Sequence, residues 1–318
     1  MMRAISNKEK TKTFAAILFL IAAIAFRLMF HAEPTESFEI ASWNMRWFPS
    51  GYMEKQEPER EIDRIAKAAR IIRSQGVPDV LFAQEIRDME TCEALAARLE
   101  DSLFKPVICS SFKDVATNTV AGLQQLAIFS RFSVVESGAE PWHATDFVFP
   151  PRGYAYAVLE VGTNLVAFFN VHLKSNYIPT GLDVKKQEVL NRLKRELSCR
   201  QILDKIDALR RKDYDGREIA AFVVGGDFNH SLYEDRFASE NSIKALLGAG
   251  FENAFDGLAG DEWATLKANQ WYSATTFDYI LADSGLRPVA GSHVVFDEKP
   301  NYGISDHRQI RVTLSFGE

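Results

Sequence analysis

After residue 37 the chain is patterned in short apolar runs rich in aromatic and branched residues. They recur at Phe38–Trp43, Val80–Ala83, Leu126–Phe129, Tyr154–Val161, Leu165–Val171, Ile219–Val224, Thr276–Leu281, Ser292–Phe296 and Gln309–Ser315. Such side chains fit a pleated surface, and runs this short read as strands. In the last run Arg311, Thr313 and Ser315 face away from Ile310, Val312 and Leu314, as in a half-buried antiparallel strand. Two stretches change period. Ile62, Ile65, Ala66, Ala69 and Ile72 predict one apolar helical face that ends near Gly76. Val189, Leu193, Leu197, Ile202, Ile206 and Leu209 predict a long helix from Asp183 to about Arg211, with its basic residues on a solvated face. Strands outnumber helices without alternating strictly with them, which argues for a sheet-rich layered α/β domain over a doubly wound parallel sheet.

The first residues follow another rule. Arg3, Lys8, Lys10 and Lys12 precede an unbroken apolar run from Phe14 to Phe26, the order of a secretory leader. With Arg27 snorkelling, Phe14–Phe30 also reads as a short anchor. Phe30-His31-Ala32 puts a bulky ring where cleavage wants a small residue. Residues 1–32 are therefore expected to be a signal peptide or N-terminal membrane anchor, and residues 33–318 the working domain. The basic flank stays inside, so that domain is expected to be exported: periplasmic or secreted, or anchored with its catalytic part outside the cytoplasm.

A chain that is 47% hydrophobic and 25% charged has ample material for a core and is neither disordered nor fibrous. The formal charge is −6; without the leader's five basic residues and Glu9 it becomes −10. No global footprint for tight non-specific nucleic-acid binding is present, although catalytic encounter needs only local positive charge. Cys92, Cys109 and Cys199 have no metal-ligand spacing and make no framework. One disulfide fits an oxidising compartment, but its pairing cannot be read from spacing.

The chemistry sits at strand ends. Ile219–Val224 runs into Gly225-Gly226-Asp227-Phe228-Asn229-His230, where an extended backbone points Asp227 and Asn229 to one side. His172 and Lys174 share a face after Leu165–Val171; Glu85 follows Val80–Ala83; Asn44 and Arg46 follow Phe38–Trp43. Asp278 interrupts an apolar strand, where an unpaired carboxylate would be costly, and Ser305-Asp306-His307 precedes the last strand. Glu85, Asp306, Asp227 and the Asn44 amide are hard oxygen donors that suit Mg²⁺, with Mn²⁺ or Ca²⁺ as alternatives, better than Zn²⁺. The histidines offer proton handling or phosphate contact. There is no Gly-x-Ser-x-Gly elbow and no Gly-x-x-x-x-Gly-Lys-Ser/Thr loop.

At these residues the sequence resembles the endonuclease/exonuclease/phosphatase (DNase I-like) superfamily. The resemblance rests on Trp43-Asn44-Met45-Arg46, Ala83-Gln84-Glu85, Asn170-Val171-His172-Leu173-Lys174-Ser175, Gly225-Gly226-Asp227-Phe228-Asn229, Phe277-Asp278-Tyr279-Ile280 and Ser305-Asp306-His307, in that order. It implies a four-layer α/β sandwich, two mostly antiparallel sheets flanked by helices, with the site on one rim. It also implies that Glu85 binds the metal, with Asn44 and Asp306 as ligands or ligand supports. His307 would contact or protonate around the scissile phosphate, oriented by Asp278. Asp227 would orient or deprotonate the attacking water, Asn229 would hold that water or a phosphate oxygen, and His172 would stabilise charge on the phosphate. Lys174, Arg46 and Arg152 are lesser candidates for phosphate contact, as is Gln125; Arg152 and Gln125 fit structural roles better. The activity so implied is divalent-metal-dependent phosphodiester hydrolysis on DNA or RNA. A phospholipid or sphingomyelin phosphodiesterase, or a phosphatase, is the runner-up. A catalytically inactive binding module on the same fold is disfavoured because every central residue is present. No protein partner is implied; a membrane is, if the leader is uncleaved.

Expression of the full chain, with fractionation and mass measurement of its N-terminus, should show loss of about the first 32 residues or retention in the membrane fraction. An intact chain in the cytosolic fraction would overturn export.

Overall fold

The computed structural model describes residues 37–52, 56–113, 124–258, 263–268, 273–297 and 303–317. The expected leader, residues 1–32, lies outside them. Among the described residues no helix is long and apolar enough to cross a membrane.

The alternating runs build two sheets. In the first, β1 (Ser37–Phe48), β2 (Val80–Ile86), β3 (Lys105–Cys109), β4 (Gln125–Ser130), β11 (Leu286–Pro288) and β13 (Gln309–Phe316) lie in the order β11-β13-β1-β2-β4-β3, and β12 (Val294–Phe296) also pairs with β13. In the second, β5 (Ser133–Pro141), β6 (Gly153–Val161), β7 (Asn164–His172), β8 (Ile219–Asp227), β9 (Glu252–Asn253) and β10 (Asp278–Ala282) lie in the order β5-β6-β7-β8-β10-β9. Each sheet holds one parallel pair, β1 with β2 and β7 with β8; every other pairing is antiparallel.

Alternation sorts each strand between two cores. In β7, Val166 and Phe168 point at the facing sheet, while Leu165, Ala167, Phe169 and Val171 point outward. The outward face is covered by α3 (Val184–Arg210) and α4 (Ser242–Gly248) through Ile202, Ile206, Ile243 and Leu246. The outer face of the first sheet is covered by α1 (Pro58–Ser74) and α2 (Met89–Ala96) through Ile65, Ala69, Ile72, Cys92 and Leu95. The result is the expected four-layer sandwich with three apolar seams.

Two expectations from periodicity change. Arg311 is not solvated: it is 1% exposed and lies under the end of α1, donating to the carbonyls of Gln75 and Gly76 at 3.0 and 2.7 Å. A guanidinium there satisfies the orphan acceptors of a helix C-terminus. In α3 the first half buries Asn191, Arg195 and Ser198, while Val189 is exposed. Arg195 therefore leaves the expected solvated face. It makes two 2.7 Å bonds to buried Glu240 and a third, 2.9 Å, to the carbonyl of Lys174.

The central seam is apolar until it nears one rim, where Ser42, Gln84 and Asn170 replace branched residues. Asn170 of β7 donates across the seam to the carbonyls of Ala83 and Ala127 at 3.0 and 2.8 Å. It accepts at 2.7 Å from Gln84, which also donates to Ser42 at 3.1 Å. Asn170→Ala leaves these buried groups without partners, and should lower unfolding free energy in urea by about 2–4 kcal/mol. A change below about 0.5 kcal/mol would show that the apolar seam alone sets the sheet contact.

Candidate active site

Strand direction gathers the polar residues. Parallel pairing brings the C-terminal ends of β1 and β2, and of β7 and β8, out at one rim. The antiparallel neighbours β10 and β13 begin there, so Asp278 pairs with Asp227 in register and His307 stands just before β13. Six sequence-distant segments thus meet where the two sheets face each other.

Local backbone aims the side chains. Strict alternation would turn Glu85 outward with Leu81 and Ala83. Instead Glu85 has φ +57°, and the β2–β4 register breaks between Gln84 and Ile86. This bulge swings the carboxylate toward the seam. Arg46, Trp47, Arg152 and Asn229 on the rim also have positive φ, a costly setting for non-glycine residues that Glu100 and Asp215 share elsewhere. Arg64 of α1 offsets part of that cost by donating to the carbonyls of Met45, Arg46 and Ile304. Gly226 is required at φ +130°, since a Cβ there would lie 2.1 Å from the Val171 carbonyl oxygen.

Asp227 is the hub. Its Oδ2 receives the Asn44 amide at 2.9 Å and lies 3.5 Å from His172 Nε2 and 3.8 Å from His307 Nε2; its Oδ1 accepts the Asn229 N–H at 2.8 Å. Glu85 accepts from Asn44 at 3.3 Å and from the Trp47 N–H at 3.0 Å, and sits 3.8 Å from His172. On the other side His307 Nδ1 is 2.8 Å from Asp278 Oδ2, which also accepts from Thr265 at 2.6 Å. Burial pushes Glu85 above the usual carboxylate range and Asp227 up to about 7, the latter helped by Asp278 and opposed by His307. Burial, with Arg152, His307 and Lys174 nearby, drives His172 well below an ordinary histidine. Burial also acts against charged His307, but Asp278, Asp227 and Asp306 outweigh it and raise the ring to about 10.

The structure therefore brings Asn44, Glu85, His172, Asp227, Asn229, Asp278 and His307 into one constellation. Asp306 is half-buried beside it and acts on His307 through its charge. The remaining cation candidates are placed differently. Arg152 donates to the carbonyls of His172 and Leu173 and to Gln124, so it positions the end of β7. Lys174 turns back on the carbonyls of Ser175 and Tyr177, and burial lowers it to about 8. Gln125 is buried and pins Ser110 and Phe112. Arg46 is exposed on its left-handed turn.

Thr265, Arg195 and Glu240 carried no signal in the sequence, and Asn170, though part of a motif block, carried no assigned role; the partners of all four lie in other elements of the fold. Ser305 carried a local signal: its hydroxyl accepts the His307 N–H at 3.0 Å, a turn that serine favours, and donates to the Asn44 carbonyl at 2.6 Å.

The donor set fits a hard divalent cation. Glu85 and Asp227 are buried acids whose ionisation is disfavoured as they stand, and a cation at their edge would offset that. Asp227, Asp278 and His307 also offer ligand atoms within 4.8 Å of one another. Asp278 and His307 already pair with each other, while the second Asp278 oxygen is buried without a hydrogen-bond partner. Asn44 turns its nitrogen to both acids while its oxygen accepts the Arg46 N–H at 3.0 Å, which makes it a support for Glu85 in this arrangement.

The sequence profile of the endonuclease/exonuclease/phosphatase family matches residues 41–307. Among solved structures, a family protein from Bacteroides thetaiotaomicron aligns with TM-score 0.60 at 18% identity, over 89% of this chain and 98% of that one. A mannosyl-6-phosphatase from Bacteroides thetaiotaomicron VPI-5482 aligns with TM-score 0.57 at 17% identity, over 88% and 100%. Truncated Caenorhabditis elegans TDP2 aligns with TM-score 0.56 at 16% identity, over 88% and 97%. At such identities the likeness is one of fold. No protein of curated function matches the sequence.

The His307 proton is a direct readout of the site. Its affinity is raised from 6.5 to about 10 by folding, so the stability it contributes is complete below pH 6.5 and lost as pH rises through about 10. NMR titration of the metal-free protein should find this ring charged across pH 6–9. A midpoint near 6.5 would mean that Asp278 does not hold it.

Proposed function

Because the chain belongs to the endonuclease/exonuclease/phosphatase family, whose fold is that of phosphoric ester hydrolases, we propose that this rim hydrolyses a phosphodiester with the help of a divalent cation, Mg²⁺ first. The observation that carries the reading is the convergence, where the two sheets meet, of Glu85 and Asp227 with the Asp278–His307 pair. Glu85 would hold the cation, with Asn44 supporting it and Asp306 close by; the cation would neutralise charge on the phosphoryl oxygens. Asp227 accepts a proton from the attacking water. Asn229 orients that water. His307, fixed at Nδ1 by Asp278, presents a protonated Nε2 to the phosphate or leaving oxygen. His172 faces the same space from β7 and donates to a phosphoryl oxygen.

Charge supply favours a diester. Arg152 and Lys174 direct their N–H groups at main-chain carbonyls, leaving less fixed positive charge for a doubly charged monoester than for a singly charged diester. Rings favour a nucleic-acid strand. Tyr52, Phe147, Phe149 and Tyr177 are exposed on segments that follow the rim ends of β1, β5 and β7, where bases can stack on them. The same rings suit a lipid interface, so a phospholipid phosphodiesterase is the second reading.

Purified protein assayed on plasmid DNA, RNA, bis-p-nitrophenyl phosphate, p-nitrophenyl phosphate and sphingomyelin should cleave the nucleic acids and the synthetic diester with Mg²⁺ or Mn²⁺, and nothing with EDTA. Glu85→Gln and His307→Ala should each lower kcat by about 10²–10⁴-fold while the fold is kept. Full activity in EDTA would overturn the cation, monoester-only turnover the diester, and sphingomyelin-only turnover the nuclease reading.

A further inference from the structure

The three cysteines occupy different layers. Cys199 of α3 lies in the outer seam of the second sheet, fully buried, and burial drives its thiol far above the usual range. Cys92 and Cys109 belong to the opposite outer seam, separated from Cys199 by both sheets. There α2 lies along β3. Glu93 and Ala96 of the helix, with Ala97 just after it, line one hollow with Phe104, Lys105 and Pro106 at one end of the pair. At the other end Cys92 and Cys109 both pack into this same seam, where helix and strand lie against each other and their thiols are close enough to interact.

The place is mechanically weak. Among the described residues β3 is the edge strand of its sheet, paired with β4 alone, and that pairing is broken between Pro106 and Ile108. Its last residue, Cys109, stands at the rim end of the strand, opposite Ala127. Cys92 is in the first turn of α2, which starts just after the bulged segment carrying Glu85. A bond between the two sulfurs would tie the edge strand to the helix beside the metal-binding carboxylate.

We infer that Cys92 and Cys109 form a disulfide when the folded chain meets a disulfide oxidant, and that Cys199 stays reduced. Cys109 is the more accessible thiol. As thiolate it attacks one sulfur of the oxidant, forming a mixed disulfide and releasing one thiolate. The Cys92 thiolate then attacks the Cys109 sulfur and releases the second. Two protein thiols lose two protons and two electrons, and one external disulfide becomes two thiols. An exported protein meets such oxidants, although the pairing itself does not depend on where the chain is made.

The full chain, purified reduced, is treated with glutathione disulfide, denatured and alkylated, and its peptides are mapped by mass. The expected map has Cys199 alone alkylated and the peptides of Cys92 and Cys109 linked. Thiol reductant should then lower the thermal midpoint by roughly 5–10 °C. Cys92→Ser should leave glutathione trapped on Cys109, and Cys199→Ser should leave the link intact. Free Cys92 and Cys109 after oxidation, or a link to Cys199, would overturn the pairing, and the wild-type map alone decides this if a variant fails to fold.

Discussion

Everything at the rim depends on the distance between two sheets, and Asn170 sets it where it matters. An apolar seam is strong but non-directional, and it permits small slides of one sheet on the other. The Asn170 amide instead bonds the carbonyls of Ala83 and Ala127 and the Gln84 side chain, one residue away from Glu85 on the first sheet and two from His172 on its own. Neither sheet carries a complete site: Asn44 and Glu85 come from one, His172, Asp227 and Asp278 from the other. Directional bonds in a dry seam hold the halves in a single register.

Holding the halves also means holding like charges together. Asp227 and Glu85 are buried with too little positive charge to ionise freely, while His307 keeps its proton because three carboxylates act on it. Such an arrangement is stable only if the surrounding structure is over-determined. The rim is braced from behind: Arg64 holds the left-handed turn after Asn44, Arg152 holds the end of β7, and the buried Arg195–Glu240 pair holds the carbonyl of Lys174. Arg195, expected on a solvated face, and Arg152, for which a structural role was the better expectation, both donate to main-chain carbonyls. That leaves the space between Glu85 and His307 as the place where a substrate's charge and a cation would complete the balance.

The sequence's local signals were good guides where structure is local. Strand runs such as Leu165–Val171 and Ile219–Val224 appear as β7 and β8 because branched residues with no competing helical period have one comfortable conformation. Three elements went unread: β3 and α2 are too brief, and β5 too mixed, to show a period. The first half of α3 misled for a different reason, since its inward face there is polar, and Asn191, Arg195 and Ser198 look like solvated positions until Glu240 is seen beneath them.

The sequence by itself determined the composition of the layers and the order of the motifs, because side-chain period and strand-end chemistry are written residue by residue. It also named the groups able to carry the chemistry, from Asn44 to His307. Tertiary structure alone decided which of them meet, because two parallel strand pairs, and not proximity in the chain, put their ends on one rim. It decided that Glu85 points inward against its own alternation, that Asn44 offers nitrogen and not oxygen, and that Thr265 stands behind Asp278. These depend on strand register and on contacts between different elements, which side-chain period does not encode.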